Sequence, residues 1–386
     1  ITAKTNFHNQ KHYLDFKKQL EGLDHLICFA VKSNPNIAIL NILAKNGAGF
    51  DIVSGGELQR VIAAEGDPKK IVFSGVGKSQ EDIELAIKHN ILTFNVESEA
   101  ELYRIQNSAE KLNKKATISI RVNPNVDPKT HPYISTGLKD NKFGVDEQNA
   151  ISMYKIAKSL SAIEIKGIDC HIGSQITELK PFEDSIRKLL ELIDHLKSIG
   201  ITIDHIDVGG GIGIQYSKEL PPTFSEYTNT VKKILTGRDL KIIFEPGRAI
   251  IGKAGILLTK VEYVKCSSNK NFLIVNAAMN DLMRPALYEA FHEIINLSPS
   301  VSDEKNYDIV GPVCETGDFL GKDRSISAEE NNILAVLDVG AYGMSMSSNY
   351  NSRPKLPEIL VDDGKAHLIR NRETFSDLIN GEKLLP

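Results

Sequence analysis

Short apolar runs recur along the first two thirds of the chain, and most are followed by apolar residues at helical spacing. LICFAVK (26–32), GFDIVS (49–54), KIVFSG (70–75), LTFNVE (92–97), TISIRVN (117–123), IKGIDCHI (165–172), IDHIDVGGG (203–211) and KIIFEPGR (241–248) have the texture of buried strands. Between the sixth and seventh, Ile186, Leu189, Leu190, Ile193 and Leu196 make one helix face that stops at Gly200. Between the seventh and eighth, Phe224, Tyr227, Val231, Ile234 and Leu235 repeat the pattern before Gly237. Eight strand–helix units predict an α/β fold, a (β/α)8 TIM-type barrel rather than a doubly wound sheet.

After Gly255 the pattern changes. GILLTKVEYVKC, NFLIVNAAM, NNILAVLDVG and PEILVDDGKAHLI read as strands, with one helical insert, DLMRPALYEAFHEI (281–294). The predicted organisation is a barrel over 14–254 and a mostly-β domain over 255–386, with residues 1–13 expected to join the latter. The polar stretch from Asn123 to Gly144 is long for a connection; a functional lid or binding loop and a plain insertion remain equally open.

Composition narrows the classes. A chain of 386 residues, 41% hydrophobic and 25% charged, suits two folded domains, and a net charge of -4 argues against a nucleic-acid coat. No apolar run approaches the roughly 18 residues of a spanning helix, so a membrane partner is not expected. Cys28, Cys170, Cys266 and Cys314 are far apart and form no CxxC pair, which argues against a zinc ribbon and for reduced thiols in the cytoplasm. His8 and His12 sit at helical spacing in polar sequence, read as a solvated face, and no metal is assigned.

A barrel does its chemistry at the carboxyl ends of its strands. Those ends hold Lys32, Ser54, Ser74, Glu97, Arg121 with Asn123, His171, Gly209–Gly211 and Glu245–Arg248. Lys32 is either a solvated surface charge or an amine able to form a Schiff base. Gly209, Gly210, Gly211 and Gly213 do not fit the dinucleotide fingerprint, since Ile214 and Tyr216 occupy its closing positions. They suit a phosphate held by backbone amides, or a tight turn. Glu245 and Arg248 could be an ion pair, or could divide between a ring nitrogen and a carboxylate. His171 is either a core histidine or a site wall. Cys314, amid Pro312, Glu315, Gly317 and Asp318, looks like a loop thiol, a usable proton donor at neutral pH.

FAVKSNPN, HIGSQI, DVGGGIG, EPGR, GPVCETGD and GAYGMSMSSNYNSRP, in this order and spacing, resemble the fold-type III pyridoxal-phosphate decarboxylases over nearly the whole chain. The resemblance implies an alanine racemase-like pairing of barrel and β domain, with pyridoxal 5'-phosphate as cofactor. It implies decarboxylation of meso-2,6-diaminopimelate to L-lysine, an amino-acid substrate with a second amino-acid end. By the same resemblance Lys32 is the Schiff-base lysine and His171 stacks on the ring. Ser174, Gly209, Gly210, Gly211, Gly213 and the backbone of Glu245, Pro246, Gly247 and Arg248 hold the phosphate, with Glu245 also on the ring nitrogen. Arg248, Arg284 and Tyr288 contact substrate, Glu315 reads its distal amine, and Tyr342 touches both cofactor and substrate. Cys314 is the proton donor. The implied assembly is a homodimer in which Cys314 of one subunit meets Lys32 of the other.

The chemistry agrees with that carry-over: charge left by departing CO2 can be absorbed by a ring whose nitrogen a carboxylate keeps protonated. Thr316 stands where the family usually has serine and keeps the hydroxyl, and the family's Thr-Pro-x-Tyr-Val-Tyr lead-in has no counterpart, which leaves a truncated N-terminus open. Ornithine, arginine and carboxynorspermidine decarboxylases share the lysine, glycine and EPGR features. The arginine of MRPALYEA suits a distal carboxylate their substrates do not need clamped, and the Cys-Glu pair differs from the Cys-Asp of ornithine decarboxylases. An alanine racemase has no use for the cysteine loop. An inactive relative would be expected to lack Lys32 or Cys314, and both are present.

Overall fold

The computed structural model describes residues 2–128, 130–131, 134, 136–137, 141–300 and 302–386. Part of the 123–144 stretch, residues 129, 132–133, 135 and 138–140, therefore lies outside the described residues. The chain divides into two compact units. One comprises Gln10–Ile214 and Leu220–Ile250; the other comprises Ile1–Asn9, Gln215–Glu219 and Ile251–Pro386. Among the described residues no helix is long and apolar enough to cross a membrane.

Strands are numbered along the chain from β1 (Thr2–Thr5), which belongs to the second unit. The first unit is a closed barrel of eight parallel strands: β2 (His25–Ala30), β3 (Gly49–Ile52), β4 (Ile71–Phe73), β5 (Thr93–Val96), β6 (Ala116–Arg121), β7 (Ile163–Asp169), β8 (His205–Asp207) and β9 (Lys241–Phe244). β9 pairs back onto β2, so all eight predicted strands form and no edge remains. Helix starts are capped by short polar side chains. Ser54, Ser79, Ser98, Asp146 and Thr223 accept the backbone amides of Glu57, Asp82, Glu101, Asn149 and Glu226. Each cap stabilises its helix by about 1 kcal/mol. Ser54, which the sequence placed among the barrel-mouth candidates, is thus accounted for as a cap.

Side chains alternate across a strand, and in a barrel one set points inward. The inward sets form layers: Thr93, Ser119 and His205 in one, Asp51, Ser74, Asn95, Arg121, Asp169, Asp207 and Glu245 two residues further along their strands. In the lower layer the Ser119 hydroxyl lies 3.3 Å from Thr93 Oγ1 and 2.9 Å from His205 Nε2. Burial pushes His205 down to about 4, so it is a neutral member of that layer. Gly167 lies beside it because an added Cβ would come 2.0 Å from His205 Nε2.

The second unit is a nine-stranded sheet. Its main path runs β14 (Phe319–Ile326), β13 (Lys305–Val310), β11 (Asn271–Val275), β10 (Gly255–Cys266), β1, β16 (Glu358–Asp362), β17 (Lys365–Arg370). β15 (Ile333–Val336) joins β10 to β12 (Ile294–Asn296). β1 is inserted between β10, antiparallel, and β16, parallel. Leu257, Val261, Leu273, Val275, Ile309, Leu320, Leu334 and Val336 fill its core.

The helical insert over 281–294 is much shorter than its sequence pattern suggests. Only Arg284–Tyr288 is helical: Pro285 sits in its first turn, and Glu289 ends it in the left-handed region at φ 51°. Leu287 and Phe291, which extend the apolar pattern, stand exposed, and Ile294 begins a strand paired with Val336.

Close backbone packing sets one clear test. An alanine Cβ at Gly340 would lie 1.9 Å from Ile251 O, whereas Gly77 has nothing within 4 Å. Gly340→Ala is expected to lower the urea-unfolding free energy by about 3 kcal/mol or to prevent folding, while Gly77→Ala stays within about 0.5 kcal/mol of the parent.

Candidate active site

Lys32 leaves β2 in a short 3-10 turn, Val31–Ser33, and its ammonium pairs with Asp51 at the end of β3. The lysine is a third exposed and the aspartate wholly enclosed, so the amine stands at the boundary between solvent and barrel interior. Ala30 N donates to Pro246 O (3.2 Å), which binds this turn to the segment after β9.

That segment meets two others with almost no space for side chains. A Cβ on Gly210 would come 2.2 Å from Glu245 O, on Gly211 2.6 Å from Gly173 O, and on Gly247 3.0 Å from Ala30 Cβ. Gly209 and Gly211 also sit at φ +68° and +106°, where glycine is strongly favoured. The glycines therefore let the ends of β7, β8 and β9 close together. Glu245 N donates to Gly209 O (2.8 Å) and Gly213 N to Ile176 O (3.0 Å). Arg248 Nη2 donates to Ser174 Oγ (3.2 Å). Gly210 N donates to His171 Nδ1 (3.1 Å), which fixes that nitrogen as an acceptor and leaves the ring proton on Nε2. Desolvation, then the charges of Arg121 and Lys32, hold His171 well below the ordinary imidazole range, so the ring is neutral. The barrel residues named from the sequence, Lys32, His171, Ser174, Gly209, Gly210, Gly211, Gly213, Glu245, Pro246, Gly247 and Arg248, thus fall in the interlocked turns of one barrel end.

Beneath this turn Glu245 stands among three further acids, Asp51, Asp169 and Asp207, that sequence reasoning did not single out. Asp51, Asp169 and Asp207 are at most 1% exposed and Glu245 is 4% exposed. Asn95 Nδ2 donates to Ser74 Oγ (3.1 Å), and the Ser74 hydroxyl donates to Glu245 Oε1 (3.3 Å). Gly209 N donates to Asp207 Oδ1 (2.9 Å). Burial and mutual repulsion raise Asp169 and Glu245 well above the carboxylate range, and burial raises Asp207 to about 7. Asp51 Oδ1 and Asp169 Oδ1 are buried with no hydrogen-bond partner. Donor atoms of Asp169, Asp207 and Glu245 lie within 4.8 Å of one another. Such a trio must hold protons or be met by positive charge.

Arg121 partly answers that demand, donating to Glu97 Oε1 (3.0 Å) with Nε 3.9 Å from Asp169 Oδ2. Glu97 also accepts from Gly75 N and Gly144 N (both 2.9 Å), and the Arg121 guanidinium lies 4.9 Å from the Phe143 ring centre. The return of the 123–144 stretch is thereby fastened to the barrel.

The second unit carries the remaining candidates. Arg284 is buried, 4.4 Å over the Tyr216 ring, and donates to His292 Nε2 (2.7 Å). Since an arginine can only donate, His292 donates through Nδ1 to Leu337 O (2.8 Å). Tyr288 closes the short helix begun by Arg284. Cys314 and Glu315 are exposed on a loop shaped by Asp318, whose carboxylate accepts Met279 N (2.6 Å) and Val313 N (2.7 Å). Cys314 N donates to Asn351 Oδ1 (2.9 Å). The Tyr350 hydroxyl is hydrogen-bonded to Glu315, which raises its pKa. Tyr342 holds a left-handed φ of 57°, uncommon for a bulky residue. Asp318 was read from sequence only as a loop neighbour of Cys314, and the roles of Asn351 and Tyr350 were not found.

Comparison with known proteins places these features. Residues 8–252 match the family described as pyridoxal-dependent decarboxylase, pyridoxal binding domain. A Vibrio cholerae protein named diaminopimelate decarboxylase is 54% identical over 98% of this chain and 91% of its own length. One of the same name from Pseudomonas aeruginosa is 52% identical over the same shares. The crystal structure of diaminopimelate decarboxylase from Helicobacter pylori complexed with L-lysine superposes with a TM-score of 0.96 at 45% identity, covering 98% of this chain and 95% of that one.

Arg121 gives the test that this geometry generates. Arg121→Gln strands Glu97 and Asp169, and a broken buried pair costs about 3–5 kcal/mol. Without the guanidinium Asp169, which burial already raises, takes up a proton more readily, and its neutral form relieves the repulsion. The loss in urea-unfolding free energy is therefore expected to be smaller at pH 6 than at pH 8; a penalty independent of pH would mean that Arg121 acts by packing alone.

Proposed function

The chain belongs to the pyridoxal-dependent decarboxylases, and on that premise we propose that it removes CO2 from meso-2,6-diaminopimelate to leave L-lysine. The observation that carries this reading is the likeness, over 98% of the chain, to proteins named for that reaction, one of them solved with L-lysine bound. Pyridoxal 5'-phosphate is the cofactor.

The chain's residues fit that group. Its ring nitrogen is a cation when protonated, and the barrel offers Glu245 amid buried acids with unpartnered oxygens. The phosphate suits the Gly211 amide, the Ser174 hydroxyl and the turn Glu245, Pro246, Gly247 and Arg248, with Gly209, Gly210 and Gly213 shaping the cradle through their bonds to Asp207, His171 and Ile176. When bound, the cofactor supplies an electron sink for the charge left at the alpha carbon. Lys32 is the amine that holds it at the mouth, and neutral His171 offers a flat face to the ring. Glu245 keeps the ring nitrogen protonated, because the ring cation is the partner that lets the buried carboxylate stay ionised and the carboxylate is the partner of the cation. Arg248, Arg284 and Tyr288 bind substrate carboxylates, Glu315 reads the distal ammonium, and Tyr342 touches cofactor and substrate. Cys314 holds the proton at Sγ that the alpha carbon receives.

Cys314 and Glu315 are exposed on their own chain, yet their loop is tied at four backbone amides: those of Met279, Val313 and Cys314, and that of Asp318, which donates to Glu315 O (3.1 Å). A shaped, exposed loop bearing reactive groups supports a homodimer in which it completes the partner's site. The described cysteines are all free, in keeping with a cytoplasmic enzyme.

Product analysis by mass spectrometry tests the reaction, with separate incubations in meso-diaminopimelate, ornithine, arginine and carboxynorspermidine. Lysine from diaminopimelate alone is expected; putrescine, agmatine or norspermidine would keep the cofactor and overturn the substrate. Lys32→Ala is expected to lose both turnover and the visible absorbance of bound cofactor. Cys314→Ala should lower kcat by roughly 10²–10⁴-fold while cofactor stays bound, and unchanged turnover would place the proton on another group.

A further inference from the structure

Asp207 closes β8 two residues before Gly209 and has no part in the reading above. It is wholly buried and touches both halves of the cofactor cradle. One carboxylate oxygen accepts Gly209 N (2.9 Å), and the other is 3.5 Å from Asn95 Nδ2, which is itself 3.4 Å from Glu245 Oε1. The glycine turn and the ring-facing acid are therefore set by one side chain.

The charges around it do not balance. Asp51 from β3, Asp169 from β7, Glu245 after β9 and Glu97 after β5 share the interior with Lys32 and Arg121. Lys32 is committed to Asp51, and Arg121 to Glu97 with a longer reach to Asp169. Cys28 also faces this interior, while Cys170 and Tyr227 lie on the helix side of the strands; burial raises all three, so they stay protonated. Asp169, Asp207 and Glu245 are left with part of one cation among three, with donor atoms inside 4.8 Å. Three such carboxyls in a dry interior cannot all be ionised. Their raised affinities for protons agree with that count.

We propose that Asp207 is a positioning residue acting through Glu245: the two share protons within the trio, and one proton leaves when the ring cation of the cofactor settles against Glu245. This rests on the assignment of Glu245 to the ring nitrogen. A cation arriving beside the trio favours its ionised forms, so the bound state carries fewer protons than the free one. Wherever the free ring nitrogen is already protonated, binding therefore strengthens as pH rises, by at most about tenfold per pH unit for each proton released. An asparagine at 207 keeps an oxygen for Gly209 N and removes the titrating site.

The test is calorimetric titration of the full chain, freed of cofactor, with pyridoxine 5'-phosphate, which lacks the aldehyde and so cannot react with Lys32. Run at pH 7 in two buffers of different ionisation enthalpy, the heats count the protons released. About one proton is expected for the parent, and well under half of one for Asp207→Asn, whose affinity should also change less than twofold between pH 6.5 and 7.5. Should that variant not fold, the parent is titrated with the 1-deaza analogue, which has carbon in place of the ring nitrogen and the same phosphate; it is expected to release no proton. Equal proton counts for the two ligands, or for parent and variant, would overturn the role of Asp207. A parent chain that binds neither ligand nor pyridoxal 5'-phosphate would overturn the cofactor assignment itself.

Discussion

Carboxyl groups withheld from water govern the barrel. An isolated buried charge is so unfavourable that each must be paired, hydrogen-bonded or protonated, and here every one of those solutions appears. Asp51 is met by Lys32, Glu97 by Arg121 and two backbone amides, and Glu245 by the Ser74 hydroxyl. What remains is a surplus of negative charge under the glycine turn. In the reading proposed above, a ring cation bound there relieves repulsion that folding has already imposed.

The glycine turn is the steric counterpart of that electrostatic arrangement. Strands ending in ordinary residues would hold the tips of β7, β8 and β9 apart by the width of their side chains. With Gly209, Gly210, Gly211 and Gly247 the backbones themselves come together where side chains would not fit. Asp207 ties the two arrangements together, accepting Gly209 N with one oxygen and reaching Asn95 with the other.

Much of this was legible in the sequence, because apolar runs ending in Lys32, His171, the glycines and EPGR mark both strands and mouth. The acids Asp51, Asp169 and Asp207 were not, although each stands in a short apolar run. In a barrel whose outer face is covered by helices, a charged residue inside such a run must point inward, and a count at period two would have found it. Ser54 misled for the opposite reason: a strand end and a helix start are adjacent in a (β/α) unit, and a cap looks like a site residue. Leu287 and Phe291 extended a helical pattern that the left-handed turn at Glu289 cuts short. Asn351 approaches the Cys314 loop from 37 residues away, and no local pattern could report that contact.

The placement of β1 has a consequence for the birth of the molecule. Thr2–Thr5 lies between Gly255–Leu257 on one side and Glu358–Val361 on the other. A ribosome releases the first strand hundreds of residues before its parallel neighbour exists. The barrel strands, each paired with the next along the chain until β9 returns to β2, can close meanwhile. The second sheet must instead wait for Gly255–Leu257 to pair β1 on one side and for Glu358–Val361 to pair it on the other, a long-range closure of the kind that folds slowly and leaves an open edge to be guarded.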